Sequence, residues 1–293
     1  MVTPAQRRAV VTEACTRRAL PVSRACRYLG VHRSLLRYAS TRAPQEALRV
    51  RLRELAVAKP RWGSPRLTWK LRREGWAVNH KRIERLVRIE RLLVGQRPRR
   101  KRAAVTRVPA PVPTRPDERW SMDFMRDTLA DGRPYRIWTL VDDATREAPL
   151  VMVDRSLPAT RVVEALDFLL LVRGRPDAIV CDNGPEFVSL VLDQWASDHG
   201  IRLDFIRPGH PVENCFIESF NGRRRDECLN LNHFVSLAEA QAIIEAWRAD
   251  YHTERPHRGL GQLTPAEFVA RLTPRLTDGK EHHNHEAHRL ILR

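Results

Sequence analysis

Asp123, Asp182 and Glu218 are three carboxylates set where a strand, a strand end and a helix face could aim them at one point. Asp123 lies in RWSMDFMRD, where Trp120, Met122 and Phe124 alternate with Ser121 and Asp123 in the period of a strand. Asp182 closes the β-rich run AIVC and is followed by Asn183-Gly184-Pro185, the top of a strand at a turn. Glu218 falls in NCFIESFNGRRRDECL, a helical stretch with Phe216, Ile217 and Phe220 on an apolar side. Carboxylates gathered in this way repel one another unless divalent cations neutralise them, which makes the set a candidate Mg²⁺ or Mn²⁺ site. A pair of such ions suits phosphodiester displacement, activating an attacking oxygen and stabilising a leaving one. With 35 acidic residues in 293, spacing alone would produce such triples by chance, so the surrounding residues must decide.

They form a long compound motif: CDNGPEF, then, 36 positions after Asp182, a glutamate inside PGHPVENCFIESFNGRRRDE. With WSMDF, TLVDDATR at 139–146 and YHTERPHRGLGQLTPAEF at 251–268, the chain from near residue 20 to near residue 272 resembles the DDE transposases and integrases. The resemblance is to the second open reading frame (OrfB type) of bacterial insertion sequences of the IS-three family. It implies an RNase H-like catalytic core, a mixed five-stranded sheet with helices, and a polynucleotidyl transferase that cleaves element ends and transfers strands. Asp123, Asp182 and Glu218 would then hold two Mg²⁺ (or Mn²⁺) ions, with Arg225, seven residues after Glu218, as a basic partner for DNA phosphate. The alternative for Arg225 is a solvated charge among Arg223 and Arg224. Asn183 and Asn221 are expected to orient ligands or substrate, Glu186 to support rather than bind metal, and Asp142 and Asp143 to hold a strand end and turn. The resemblance further implies a partner encoded upstream (OrfA-like), joined by frameshifting, a homo-oligomer on DNA, and a circular intermediate formed when one end attacks the other. Departures from the family pattern are His210 in place of Lys, Glu213-Asn214 in place of Asp-Asn, and Cys215 in place of Ala, all in or beside the loop before the Glu218 helix.

The elements that must position these residues are legible in part. Charge is polarised: residues 1–116 carry 30 Lys+Arg against 6 Asp+Glu, whereas the remainder carries 22 against 29. The first portion is therefore a binder of polyanions and the second has an ordinary enzyme's balance. In PVSRACRYLGVHRSLLRY, Val22, Ala25, Cys26 and Leu29 line one helical face, Gly30 breaks it, and Leu35 and Leu36 open a second stripe, a helix-turn-helix outline within 1–45. A second unit, 46–95, has Ser64-Pro65 as a helix start, Gly75 as a stop and Asn79 as an N-cap. The helix after Asn79 buries Ile83, Leu86 and Val87, so His80, Lys81, Arg82, Arg85 and Arg88 face outward toward DNA. Residues 96–116 read as a basic, Pro-rich linker.

The catalytic region, 117–272, predicts strands near 119–127, 135–142 and 148–154, a helix near 159–173, a strand at 178–182, a helix at 189–199, a strand at 202–206 and the Glu218 helix. A capped helix follows in SLAEAQAIIEAWRADYHTE, then a loop whose Arg255, His257 and Arg258 are candidate DNA contacts, and a helix restarting at Thr264-Pro265. The tail from 273, including HHNHEAH at 282–288, is expected to be disordered. No run approaches the 18 or more apolar residues of a membrane span, and the start lacks a signal peptide's apolar core. Five cysteines form no CxxC pair, and their odd number suits a reducing cytoplasm, where a DNA-acting protein is expected to be nucleoid-associated. Two other classes compete. A retroviral-type integrase would carry a His/Cys zinc module, whose spacing Cys15, Cys26, His32 and His80 lack. A non-catalytic DNA-binding regulator would keep the basic region alone.

Overall fold

The computed structural model describes residues 4–38, 45–92, 113–182, 184, 189–207 and 214–272. The linker from 96 to 112, Asn183, Glu186, His210, Glu213 and the tail from 273 lie outside them. The chain divides into two compact units, residues 1–50 and 51–293.

The first unit contains α1 (Pro4–Arg18), α2 (Val22–Tyr28) and α3 (Ser34–Arg37). Its core is Val11, Ala25, Cys26 and Val31, and Gly30 separates α2 from α3 at φ +60°, a conformation natural to glycine. Val22 and Leu29, expected on the buried face, are exposed; Val11 of α1 is buried. The apolar pattern did not announce α1.

The second unit includes most of α4 (Glu46–Ala58), then α5 (Ser64–Arg73) and α6 (His80–Ile89). Asn79 caps α6 by accepting the Arg82 amide at 2.8 Å. Leu67, Leu71, Ile83, Leu86 and Val87 are buried between α5 and α6, so the remaining face of α6 stays polar.

The sheet has the order β3-β2-β1-β4-β5, built from β1 (Arg119–Thr128), β2 (Pro134–Asp142), β3 (Leu150–Asp154), β4 (Ala178–Cys181) and β5 (Arg202–Phe205). β1, β2 and β3 pair antiparallel, whereas β4 joins β1 and β5 in parallel. Both faces are covered. Trp120, Met122, Trp138, Leu140, Leu150, Met152, Ile179 and Cys181 point into one core, under α7 (Ala159–Arg173) and α8 (Leu190–Asp198). The alternate residues Tyr135, Ile137, Val141, Val151 and Val153 enter a second core with α9 (Cys215–Glu227) and α10 (Leu237–Thr253). α11 (Pro265–Leu272) closes the described chain, with Thr264 and Glu267 exchanging backbone-to-side-chain bonds as a capping box. This mixed sheet with helices on both faces is the RNase H-like arrangement expected. No helix among the described residues is long and apolar enough to cross a membrane.

The strand ends are tied by one guanidinium. Arg173, at the end of α7, donates to Asp117 and Glu147 at 2.8 Å each and lies 3.6 Å from Asp142, a fully buried carboxylate that also accepts the Asp117, Ala144 and Thr145 amides. Removing one member of such a buried set leaves the others uncompensated. Arg173→Ala should therefore lower stability by about 3–5 kcal/mol in urea titration; a change within a few tenths of a kcal/mol would refute this role.

Candidate active site

Strand alternation decides which face carries the chemistry. Because Trp120 and Met122 enter the α7–α8 core, Ser121 and Asp123 turn to the α9 side. The parallel register Ser121↔Val180 sets Asp123 and Asp182 each two residues further along neighbouring strands. Ile179 and Cys181 occupy the α7–α8 core, so Asp182 shares the face of Asp123. The Asp182 Oδ1 accepts the Gly184 amide at 3.0 Å.

On α9 the buried positions are Ile217, Phe220, Asn221 and Arg224, the i, i+3, i+4, i+7 stripe of a helix against a sheet. Asn221 donates through Nδ2 to Asp123 Oδ2 at 2.7 Å. Its Oδ1 accepts from Arg224 at 2.7 Å, so both ends of the amide are used and its orientation is set. Arg224 has no exposed surface. Beyond Asn221 it donates to Thr139 Oγ1 at 2.6 Å and contacts Met125 Sδ at 2.9 Å. Thr139 is the cross-strand partner of Asp123, so helix, β1 and β2 are joined around one carboxylate. Burial holds the Arg224 guanidinium down to about 10, with the charge of Asp123 working the other way. Burial likewise raises the Asp123 carboxyl to about 6; the Asn221 bond opposes this and the like charge of Asp182 adds to it.

Glu218 is exposed on α9, three residues before Asn221 and thus one turn from the group that holds Asp123. Arg225 is exposed two turns further on. Among the described residues no three His, Cys, Asp or Glu side chains stand close enough to hold a metal ion. The donor chemistry nonetheless fits a hard divalent cation: two carboxylates on one sheet face, one of them half-starved of solvent and raised by burial, would be relieved by one.

The expected DNA contacts fall into two sets. His80, Lys81, Arg85 and Arg88 are exposed on α6, and Arg82 is half-buried beside them. Arg258 is exposed, whereas Arg255 is buried and donates through Nε and Nη2 to the two oxygens of Glu227, at 2.9 and 2.6 Å. Asp142 and Asp143 hold the strand end and turn, Asp143 accepting from Ser121 and Arg119 at 2.7 Å each. Arg224 is the buried residue beside Asp123 that the sequence reading passed over, grouped with solvated charges. The signal was its spacing, four residues after Phe220 and seven after Ile217.

Comparison with known proteins follows this geometry. Residues 113–211 and 199–265 match two models described as Integrase core domain, and residues 44–102 match one described as HTH-like domain. The chain is 46% identical to an uncharacterised protein of insertion element IS407 from Burkholderia multivorans, over 85% of this chain and 90% of that protein. It is 41% identical to a protein of insertion element IS476 from Xanthomonas euvesicatoria, over 91% of this chain and 78% of that one. A putative transposase, InsK of IS150 from Escherichia coli, is 26% identical over 71% of this chain and 77% of its own length.

The raised Asp123 carboxyl makes the ionised form unfavourable in the folded protein. In EDTA its contribution to stability is full below the ordinary value of 3.8 and is lost as pH rises through about 6, a loss of at most about 3 kcal/mol. Urea midpoints from pH 4 to pH 8 should fall across that window, and Asp123→Asn should flatten this limb; an unchanged limb would remove burial as the cause.

Proposed function

Because the chain belongs to the IS-three family of insertion-sequence transposases, OrfB type, with an integrase core and a helix-turn-helix-like region, we propose that it cleaves insertion-sequence ends and transfers the strands to new DNA. The observation that carries this reading is the Asp123–Asn221–Arg224 chain, which orients a half-buried carboxylate on the face shared by Asp182 and by the helix of Glu218. Asp123, Asp182 and Glu218 would hold two Mg²⁺ or Mn²⁺ ions, which when bound stabilise charge on the attacking and leaving oxygens of a phosphodiester.

The protein's own groups prepare that chemistry. Asn221 donates to Asp123 and Arg224 places a positive charge behind it, and both favour the carboxylate over the acid. The Gly184 amide restrains one Asp182 oxygen. Glu218 would complete the set from α9, and Arg225, exposed on the same helix, would meet the DNA backbone. Water serves as the nucleophile in nicking and a DNA 3′-hydroxyl in strand transfer; no covalent protein intermediate is required. The exposed basic residues of α6 suit phosphate contact with some base reading. Asn183 as a supporting group, an OrfA-like upstream partner, self-association on DNA and a circular intermediate belong to the same reading.

The test uses Mg²⁺-dependent cleavage and joining of the inverted repeats that flank the coding sequence, by the chain alone and fused to its upstream frame. Asp182→Asn and Glu218→Gln should each abolish joined products while DNA binding persists. Chemistry that survives in either variant would remove that residue from the site.

Arg224→Met removes the buried charge that compensates Asp123 through Asn221, so stability should fall by roughly 3–5 kcal/mol while Asn221 loses its anchor. The Mg²⁺ concentration needed for half-maximal joining should rise roughly 10–100-fold, and Arg224→Lys should recover part of it. Equal Mg²⁺ dependence in all three proteins would make Arg224 a packing residue only.

A further inference from the structure

A second polar cluster lies on the opposite flank of α9, where α5 meets it. Arg66, in the first turn of α5, stands 3.6 Å from Glu227 at the end of α9. Arg255 grips that same carboxylate and is buried. Arg223, one turn before Glu227, hydrogen-bonds Tyr251, a residue of α10 with almost no exposed surface. Arg146, from the turn between β2 and β3, sets its guanidinium 3.6 Å from the centre of the Phe216 ring. His257 packs edge-on against Tyr251 with ring centroids 4.7 Å apart; it is 4% exposed, and its Nε2 has no hydrogen-bond partner among the described residues.

The charges in this cluster do not balance. Arg66 and Arg255 share one carboxylate, Glu227, Arg146 shares Asp143 with Arg119, and Arg223 faces a phenol. The surplus is felt by its neighbours. The Arg66 guanidinium is held down to about 10, by burial and then by Arg255. His257 is held down to about 2, by burial and then by Arg255, Arg223, Arg66 and Arg146. Guanidiniums gathered in this way offer forked donors that suit a tetrahedral oxyanion.

We propose that Arg66, Arg146 and Arg223, gathered beside the buried His257, form a binding site for one backbone phosphate of DNA. The site rests on the DNA reading given above and adds to it. It takes one donor from the helix-turn-helix-like helix α5, one from the β2–β3 turn and one from α9, the helix that carries Glu218. A strand held there is fixed simultaneously to the DNA-binding unit and to the catalytic helix. The contact to a phosphate carries no base information; it sets register, so that DNA engaged by α6 reaches the carboxylate face at a fixed offset.

The full chain is melted in inorganic phosphate and in chloride of equal ionic strength. Phosphate should raise the midpoint, and Arg66→Gln and Arg223→Gln should each remove at least half of that gain, with Arg66→Lys retaining most of it. Each variant is compared with its own midpoint in chloride, so a loss of intrinsic stability does not mimic the effect. On a short duplex of unrelated sequence, each Gln variant should lower the slope of log affinity against log salt by about 1. No phosphate gain in the unaltered chain, or an equal gain in the Gln variants, would overturn the site. A lost gain with an unchanged salt slope would mean a free anion rather than DNA, and would overturn the DNA assignment. Absence of strand joining by every form, with phosphate gain and salt slope still following the arginines, would sink the proposed chemistry and leave this site standing.

Discussion

A guanidinium with no exposed surface is costly to fold, and the face of the sheet that carries Asp123 is arranged around Arg224. Its donors reach Thr139 on β2, Met125 on β1 and Asn221 on its own helix, none of them a carboxylate. The nearest compensation is Asp123, reached through the Asn221 amide. Two groups that burial would otherwise push toward neutrality, an arginine and an aspartate, therefore steady one another across a neutral relay. The arrangement fixes α9 against the sheet in rotation as well as position, because a turn of the helix by one residue would strand the charge. Glu218 and Arg225, on the neighbouring stripe of α9, inherit their placement from that constraint.

The sheet supplies the other half of the geometry. β2 and β3 are buried on both faces, so odd and even residues feed two separate cores, and any slip of one residue would exchange them. The same parity sends Asp123 and Thr139 to the α9 side, and it carries Asp182 there through the parallel pairing of β1 with β4. Arg173 then clamps the ends of these strands through Asp117, Asp142 and Glu147. Catalytic parity and core parity are one property of the fold.

Four ion pairs join the helix-turn-helix-like helices to the helices that follow the sheet. Lys59 pairs with Asp250, Lys70 with Glu254, Arg73 with Glu267 and Arg66 with Glu227. All but one of these side chains keep a quarter or more of their surface at the solvent, with Glu227 the more enclosed exception. Such pairs are each worth about 0–1 kcal/mol and weaken with salt. The basic face of α5 is thus partly neutralised within the protein, while His80, Lys81, Arg85 and Arg88 of α6 are exposed.

The sequence by itself determined the order and near extent of most elements, α1 and α4 excepted, because hydrophobic period, caps and turn residues are local properties. The helix expected at 159–173 is Ala159–Arg173, and Asn79 caps α6 as its position before the apolar stripe implied. It also determined the family, through motifs whose residues are contiguous in the chain, and the face of β1 that Asp123 occupies. The tertiary structure decided what local pattern cannot encode: which charges are buried. Arg223, Arg224 and Arg225 are adjacent and chemically identical, yet one faces Tyr251, one is buried beneath α9 and one is exposed. Their fates depend on the phase of α9 against β1 and β2, strands about 80 to 100 residues earlier in the chain. For the same reason Arg255, a basic residue in a loop, became the buried partner of Glu227, since only long-range packing sets what stands opposite it.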